Sequence, residues 1–312
     1  MKALVWYGDR SVVYEDAPEP EPAADEVVLD VELAGICGSD LHGYRGHPGP
    51  RVPPLVLGHE VVGRLDGEEY AVYPLIGCGK CERCRAGEDN LCDSWRLIGM
   101  HRPGVFAERV AVPRRSLVRL PAGIELERAV LVEPLACCVG ALAPHPASRS
   151  VAVLGCGPLG LLTAYLAARS GADVTAVDPL PERRAIAERL GAAASAGELE
   201  SGGFDLVVDA AGFEATWRAA LAGARPGGTI VMLGLGNAEA PFPMAQLVRR
   251  AIRLRGQFAY SRAEFARALE VLADGDLALD WLSMAPLAEG ADAFANLVDR
   301  PAEYAKVLLV PA

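Results

Sequence analysis

Four thiols, those of Cys78, Cys81, Cys84 and Cys92, fall within the single short stretch 78–92. That crowding is unsuited to ordinary disulfides and suited to one tetrahedral Zn²⁺ in a reducing compartment. A full set of four thiolates leaves no open coordination position, so a zinc held there is structural. An iron–sulfur cluster uses similar spacings, and redox-active Cys-x-x-Cys pairs are a further reading. A second set of metal-binding side chains comprises Cys37, in Gly35-Ile36-Cys37-Gly38-Ser39-Asp40-Leu41-His42, with His59 and Glu60 in Gly58-His59-Glu60. Thiolate, imidazole and carboxylate all bind zinc, and three protein ligands leave a fourth position for a hydroxyl-bearing substrate. Alone, a cysteine and a distant histidine are a weak signal.

The third constellation is Gly155-Cys156-Gly157-Pro158-Leu159-Gly160, which follows an apolar run at 151–154 and opens an apolar helix. This is the context that the Gly-x-Gly-x-x-Gly fingerprint requires: glycines for the turn and for close approach of a pyrophosphate, whose charge meets the helix N-terminus. Asp178 stands at the end of the next apolar run, 174–177, at the distance beyond Gly160 that the fingerprint expects of its acidic residue. A carboxylate there accepts hydrogen bonds from ribose hydroxyls and repels a 2′-phosphate, which favours NAD over NADP. Arg183 and Arg184 follow closely and could restore NADP.

These groups need two kinds of scaffold. Residues 1–135 read as short strands at 1–7, 26–33, 61–64 and 106–112, broken by Gly and Pro clusters, which implies an irregular, mainly β domain. Beyond 150, apolar strands at 151–154, 174–177, 206–208 and 229–233 alternate with helices, the rhythm of an α/β, doubly wound parallel sheet. An amphipathic helix at 262–273 and a last strand at 305–310 are too small to fold alone and are expected to return to the first domain. A length of 312 residues fits two domains.

Composition narrows the function classes. With 51% hydrophobic and 23% charged residues the chain reads as globular rather than disordered. Its formal charge of -11 offers no basic surface to phosphate backbones, which argues against nucleic-acid binding. Residues 151–168 carry no charge, but their glycines and Pro158 divide them into strand, turn and helix, so no membrane span is expected. The segment Met1 to Asp16 lacks an uninterrupted apolar core and a small-residue cleavage signal, and reads as a strand of a cytoplasmic protein.

Taken together and in this order, the Cys37 segment, Gly58-His59-Glu60, the four-cysteine lobe and the dinucleotide turn resemble the medium-chain, zinc-containing alcohol dehydrogenase superfamily over nearly the whole chain. The sorbitol and threonine dehydrogenase branch is the most similar, because Glu133 in Val132-Glu133-Pro134-Leu135 fills the place of a second thiolate. The resemblance implies a GroES-like catalytic domain over 1–135 with a structural zinc lobe at about 77–93. It further implies a Rossmann NAD-binding domain over 136–258 and a segment 259–312 that returns to the catalytic domain. By the same resemblance Cys37 and His59 hold a catalytic zinc, Glu60 is a direct or exchanging ligand, and Glu133 sits at or near the metal, directly or through water. Asp40 orients the His59 ring, and Ser39 with His42 relays the alcohol proton by way of the cofactor ribose. A homodimer or homotetramer is implied, through the edge of the cofactor-domain sheet.

Two departures bear on the substrate. Only the short segment 64–77 separates Gly63 from Cys78, so a hairpin of the β domain is shortened. Sorbitol dehydrogenases commonly carry Phe-Arg-Tyr at the substrate pocket, where this chain has Phe258-Ala259-Tyr260; the lost guanidinium removes donors suited to a polyol. Tyr44, Trp95 and Tyr260 are candidates to shape the pocket or simply to pack. The expected activity is zinc-dependent hydride transfer between a secondary alcohol or polyol and NAD. Alternatives are a threonine, amino-alcohol, aminocyclitol or sugar dehydrogenase, and a non-enzymatic nucleotide-binding protein.

Overall fold

The computed structural model describes residues 1–312 except 48, 146–147, 197–198, 200–201, 238 and 240–242. It divides into two compact units, Met1–Glu133 with Ser261–Ala312, and Pro134–Tyr260.

In the first unit the central strand is Glu26–Gly35. Its first half pairs with Arg109–Pro113, and its second half with Glu60–Leu65 on one side and Lys306–Val310 on the other. A bulge between Val31 and Leu33 marks the exchange of partners. The far end of this strand sets up the chemistry: Gly35 lies opposite Glu60 and opposite Leu308, and Ile36 N–H donates to Val307 O at 3.0 Å. A segment from the end of the chain therefore completes the sheet beside Cys37, which is why residues 261–312 belong to this unit.

Glu60–Leu65 turns back into Glu68–Val72 through Asp66 (φ 52°) and Gly67 (φ 83°). Asp-Gly with both residues at positive φ is the favoured two-residue hairpin turn, so the shortened stretch still makes a regular hairpin. The strand expected at 106–112 begins only at Arg109, because the residues before it pair with the strand Lys2–Gly8 instead, Leu4 N–H donating to Phe106 O at 2.8 Å and Ala107 bridging Ala3, while the Phe106 side chain fills the core at 0% exposure. Tyr44 and Tyr260 are likewise buried, at 6% and 0% exposure.

The second unit carries an all-parallel sheet ordered Ala193–Ala196, Asp173–Asp178, Ser150–Leu154, Phe204–Asp209, Ala224–Met232, Arg253–Gly256. In chain order this is 3-2-1-4-5-6, the doubly wound arrangement in which a dinucleotide binds where the order reverses, outside the carboxyl ends of the strands. Ser150–Leu154 and Phe204–Asp209 flank that point. The uncharged stretch at 151–168 divides into the strand Ser150–Leu154, a glycine turn and the helix Pro158–Arg169. Among the described residues no helix is long and apolar enough to cross a membrane.

Candidate active site

Cys37 caps the short helix Gly38–Tyr44, and the carboxylate of Asp40, three residues on, accepts its backbone N–H at 3.0 Å through Oδ2. This capping box fixes the thiol at a helix start. His59 and Glu60 arrive on the neighbouring strand. Gly58 precedes them at φ 92°, and a Cβ there would lie 2.6 Å from the Phe106 ring, so no other residue fits. The donor atoms of Cys37, His59 and Glu60 all lie within 4.8 Å of one another.

The environment of these donors suits a cation. His59 is 3% exposed and its Nδ1 has no hydrogen-bond partner, lying 3.7 Å from Asp40 Oδ1. Burial alone lowers a histidine pKa, yet Asp40, the Cys37 thiol and Glu133 outweigh it and raise that of His59 to about 10. The anionic pocket thus draws a proton onto the ring in the place where a divalent ion would supply the charge. Glu133, in the first turn of the helix Val132–Leu142, is buried and contributes to that field from outside the 4.8 Å donor set.

One side chain at this site was missed in the sequence. Lys306 is 1% exposed, donates to Ile36 O at 2.8 Å and forms a buried ion pair with Glu60 Oε2. A Cβ on Gly35 would sit 2.2 Å from that oxygen, so the glycine makes room for the pair. No local pattern marks a single lysine 246 residues away as the counter-ion of Glu60.

The relay candidates lie on one short helix. Ser39 Oγ lies 3.4 Å from Arg51 Nη2. His42 is half-buried, and its pKa is lowered by that burial together with Arg45, His47 and Arg51. The neutral ring that results can accept a proton. Trp95 packs edge-on against His101, with ring centroids 5.0 Å apart.

The four lobe cysteines also converge within 4.8 Å. Cys78 and Cys84 sulfurs lie 4.0 Å apart, against about 3.8 Å for the edge of a tetrahedron of 2.3 Å Zn–S bonds and about 2.05 Å for a disulfide. Backbone N–H groups of Cys78, Cys81 and Cys84 donate to Cys92, Cys78 and Cys81 sulfurs, each at 3.4 Å, which favours thiolates. The N–H groups of Lys80 and Cys81 bring the Cys78 thiol down to about 6, while burial pushes Cys84 up to about 12. Arg262, at the start of the helix Arg262–Ala273, anchors the lobe. It bonds Asp89 at 2.8 Å and Arg115 O at 2.9 Å, and stacks over Tyr73 at 4.4 Å.

In the second unit, a Cβ on Gly160 would stand 1.7 Å from Gly155 O, so the last glycine of the fingerprint lets helix pack on strand. Gly157 caps the helix Pro158–Arg169 with Pro158 and Leu159 in its first turn; a Cβ on Gly157 would meet nothing within 4 Å. That open cradle at a helix N-terminus fits a pyrophosphate. Asp178 Oδ2 accepts from Cys156 N–H at 2.7 Å and Oδ1 from Leu180 N–H at 2.9 Å, leaving lone pairs for ribose hydroxyls. Arg183 reaches Cys156 O at 3.3 Å and Arg184 reaches Asp178 O at 2.7 Å, so both guanidiniums are tied to the backbone of this loop. Asp209, also unmarked in the sequence reading, is fully buried and accepts from Ala211 and Gly212 N–H and from Thr216 Oγ1. It shapes the loop on the other side of the switch point.

A parallel sheet of dinucleotide-binding order, a four-thiol lobe and a converging Cys–His–Glu group define a zinc-dependent, nicotinamide-dependent dehydrogenase. The chain belongs to the zinc-type alcohol dehydrogenases of the medium-chain superfamily. The alcohol dehydrogenase GroES-like domain profile matches residues 23–122 and the zinc-binding dehydrogenase profile residues 158–274. The chain is 32% identical to 2-dehydro-3-deoxy-L-galactonate 5-dehydrogenase of Pseudoalteromonas atlantica, over 96% of each chain. It is also 32% identical to D-xylulose reductase A of Aspergillus oryzae, over 89% of this chain and 87% of the relative. Among solved structures, alcohol dehydrogenase TADH from Thermus sp. ATN1 superposes with a TM-score of 0.92 at 33% identity, over 99% of each chain. The protein is a zinc-dependent alcohol or polyol oxidoreductase of the EC 1.1.1 class that uses a nicotinamide dinucleotide.

Proposed function

We propose that this enzyme interconverts a secondary alcohol of a polyol or sugar acid with the corresponding ketone, using NAD(H). Its zinc is held by Cys37, His59 and Glu60, with Glu133 beside it, and a second, structural zinc is held by Cys78, Cys81, Cys84 and Cys92. The observation that carries this reading is the convergence of the Cys37, His59 and Glu60 donors in an anionic, buried pocket with a partly exposed thiol. The relatives named for xylulose and for a deoxygalactonate act on polyhydroxylated compounds, which supports that substrate class. The threonine and amino-alcohol alternative and the non-enzymatic alternative are not favoured.

A neutral alcohol is a poor acid at pH 7, and bound zinc supplies the Lewis acidity that stabilises an alkoxide. The remaining work belongs to the chain. Cys37, His59 and Glu60 would hold the ion; the Ser39 hydroxyl would accept the alcohol proton as it gives up its own, by way of the cofactor ribose, to the neutral His42 ring, which releases a proton towards solvent. Gly155, Gly157, Pro158, Leu159 and Gly160 receive the pyrophosphate, and Asp178 receives the ribose hydroxyls and disfavours a 2′-phosphate.

The same reading takes the protein to be cytoplasmic, in keeping with eight free cysteines, and homo-oligomeric through the sheet edge Arg253–Gly256. That terminal strand exposes Leu254 at 45%. The test is a panel of polyols, sugar acids, simple secondary alcohols and threonine with NAD, before and after chelation. Turnover on polyhydroxylated substrates that chelation abolishes supports the reading; chelator-resistant turnover, or preference for threonine, defeats it. In the same assay Glu60→Gln should lose active-site zinc more readily than Glu133→Gln.

A further inference from the structure

Arg51 is buried at 5% exposure, and its stem packs on Gly43, where a Cβ would lie 3.3 Å from Arg51 Cδ. Its Nη2 lies 3.4 Å from Ser39 Oγ and 3.8 Å from Asp40 Oδ1. Asp40 is itself fully buried and divides its two oxygens. Oδ2 holds the backbone N–H of Cys37 at 3.0 Å; Oδ1 lies 3.7 Å from His59 Nδ1 and makes no hydrogen bond. One carboxylate therefore bridges both zinc-ligand candidates, and a buried carboxylate is strongly unfavourable unless a cation faces it. The guanidinium of Arg51 is the permanent cation on its remaining side.

We propose that Arg51 is a positioning residue: it holds Asp40 in register with Cys37 and His59, and ties that carboxylate to the Ser39 hydroxyl of the proton path. The proposal rests on the zinc reading given above. Two other titratable rings face the same guanidinium. His42 is lowered by burial, Arg45, His47 and Arg51; His101 is lowered chiefly by burial, with Arg96 and Arg51 adding to it. The guanidinium thus lies against a carboxylate and a hydroxyl and acts through its charge on two imidazoles, one of them the His42 ring that follows Ser39 in the relay.

The experiment follows the rate at which a chromogenic chelator strips zinc from the purified holoenzyme. It compares the parent, Arg51→Met, Arg51→Lys, Asp40→Asn and the Arg51→Met/Asp40→Asn double variant, with lobe zinc as the internal control for folding. Groups that orient a metal ligand typically govern 10–100-fold in metal affinity. Arg51→Met should therefore release the active-site zinc on the order of 10-fold faster, Arg51→Lys should restore most of the retention, and Arg51→Met should add little once Asp40 is Asn. The pH profile of alcohol oxidation should shift in Arg51→Met and return in Arg51→Lys. Parental zinc release by Arg51→Met, or equal acceleration with and without the Asp40 carboxylate, overturns the proposal alone. A parent enzyme that carries lobe zinc but no site zinc overturns the reading of the site and this proposal with it.

Discussion

Replacing Lys306 by methionine tests how the acidic zinc-ligand candidate is held. Lys306 and Glu60 side chains are each 1% exposed, and the ammonium also bonds Ile36 O at 2.8 Å. Methionine keeps the length of the stem but removes the charge and both donors. Breaking a buried ion pair by deleting one partner costs about 3–5 kcal/mol, because the other charge stays in a medium that cannot solvate it. The stranded Ile36 carbonyl adds to this, though not additively, since both losses are relieved by the same rearrangement. With a urea m-value of about 2 kcal/mol/M, the metal-free protein should lose about 2 M in its unfolding midpoint. Removing both charges in Lys306→Met/Glu60→Gln should recover most of that loss, because two apolar or neutral partners of similar volume often replace a buried pair at little cost. The assay is paired urea unfolding of the metal-free parent, single and double variants. A single variant within about 1 kcal/mol of the parent, or a double variant no better than the single, refutes the claim that Lys306 neutralises a buried Glu60.

The cofactor site yields two further expectations. Gly160→Ala places a methyl 1.7 Å from Gly155 O, so the turn must move; where cofactor binding has to restore the overpacked turn at about 2 kcal/mol, NADH binds about 30-fold more weakly in a fluorescence titration, and unaltered binding would show that the turn does not carry the cofactor. Asp178→Ala removes the proposed ribose acceptor and frees the Cys156 and Leu180 N–H groups. The ratio of kcat/KM for NAD over NADP should fall at least about tenfold, equivalent to about 1.4 kcal/mol; an unchanged ratio would assign cofactor choice to Arg183 and Arg184 instead.

The parts of this protein that were legible in its sequence are those whose cause is local. The helix Arg262–Ala273 has the bounds its apolar period predicts, reinforced by a Ser261–Glu264 capping box. The turn from Ser150–Leu154 into Pro158–Arg169 follows from Gly155 at φ 89° and from Gly160, whose absent Cβ lets the helix approach Gly155 O. The four lobe cysteines lie close in sequence and converge in space. What escaped was either a short signal left unread or a contact made across the fold. Asp66-Gly67 is a local hairpin signal, and it accounts for the returning strand Glu68–Val72, which was not foreseen beside the strand at 61–64. Lys306 and Arg51 had no such signal: each is one basic residue whose partner is fixed by strand register or by the path of a loop. The strand at 106–112 changes partner along its length, 109–113 pairing with Glu26–Gly35 and 106–108 with Lys2–Gly8, a switch that no local pattern marks. Glu60 and Glu133 could not be ranked from spacing; Glu60 belongs to the group whose donor atoms lie within 4.8 Å of one another, and Glu133 is among the charges that raise the His59 pKa.

The central claim is that Cys37 holds the zinc on which hydride transfer depends, apart from the metal of the four-cysteine lobe. Metal content per chain, measured by mass spectrometry beside NADH formation, tests it most directly in Cys37→Ala. The two donor groups predict two zinc ions in the parent and one in the variant, with the fold intact and turnover lost. A variant that keeps both ions and its activity would contradict the account.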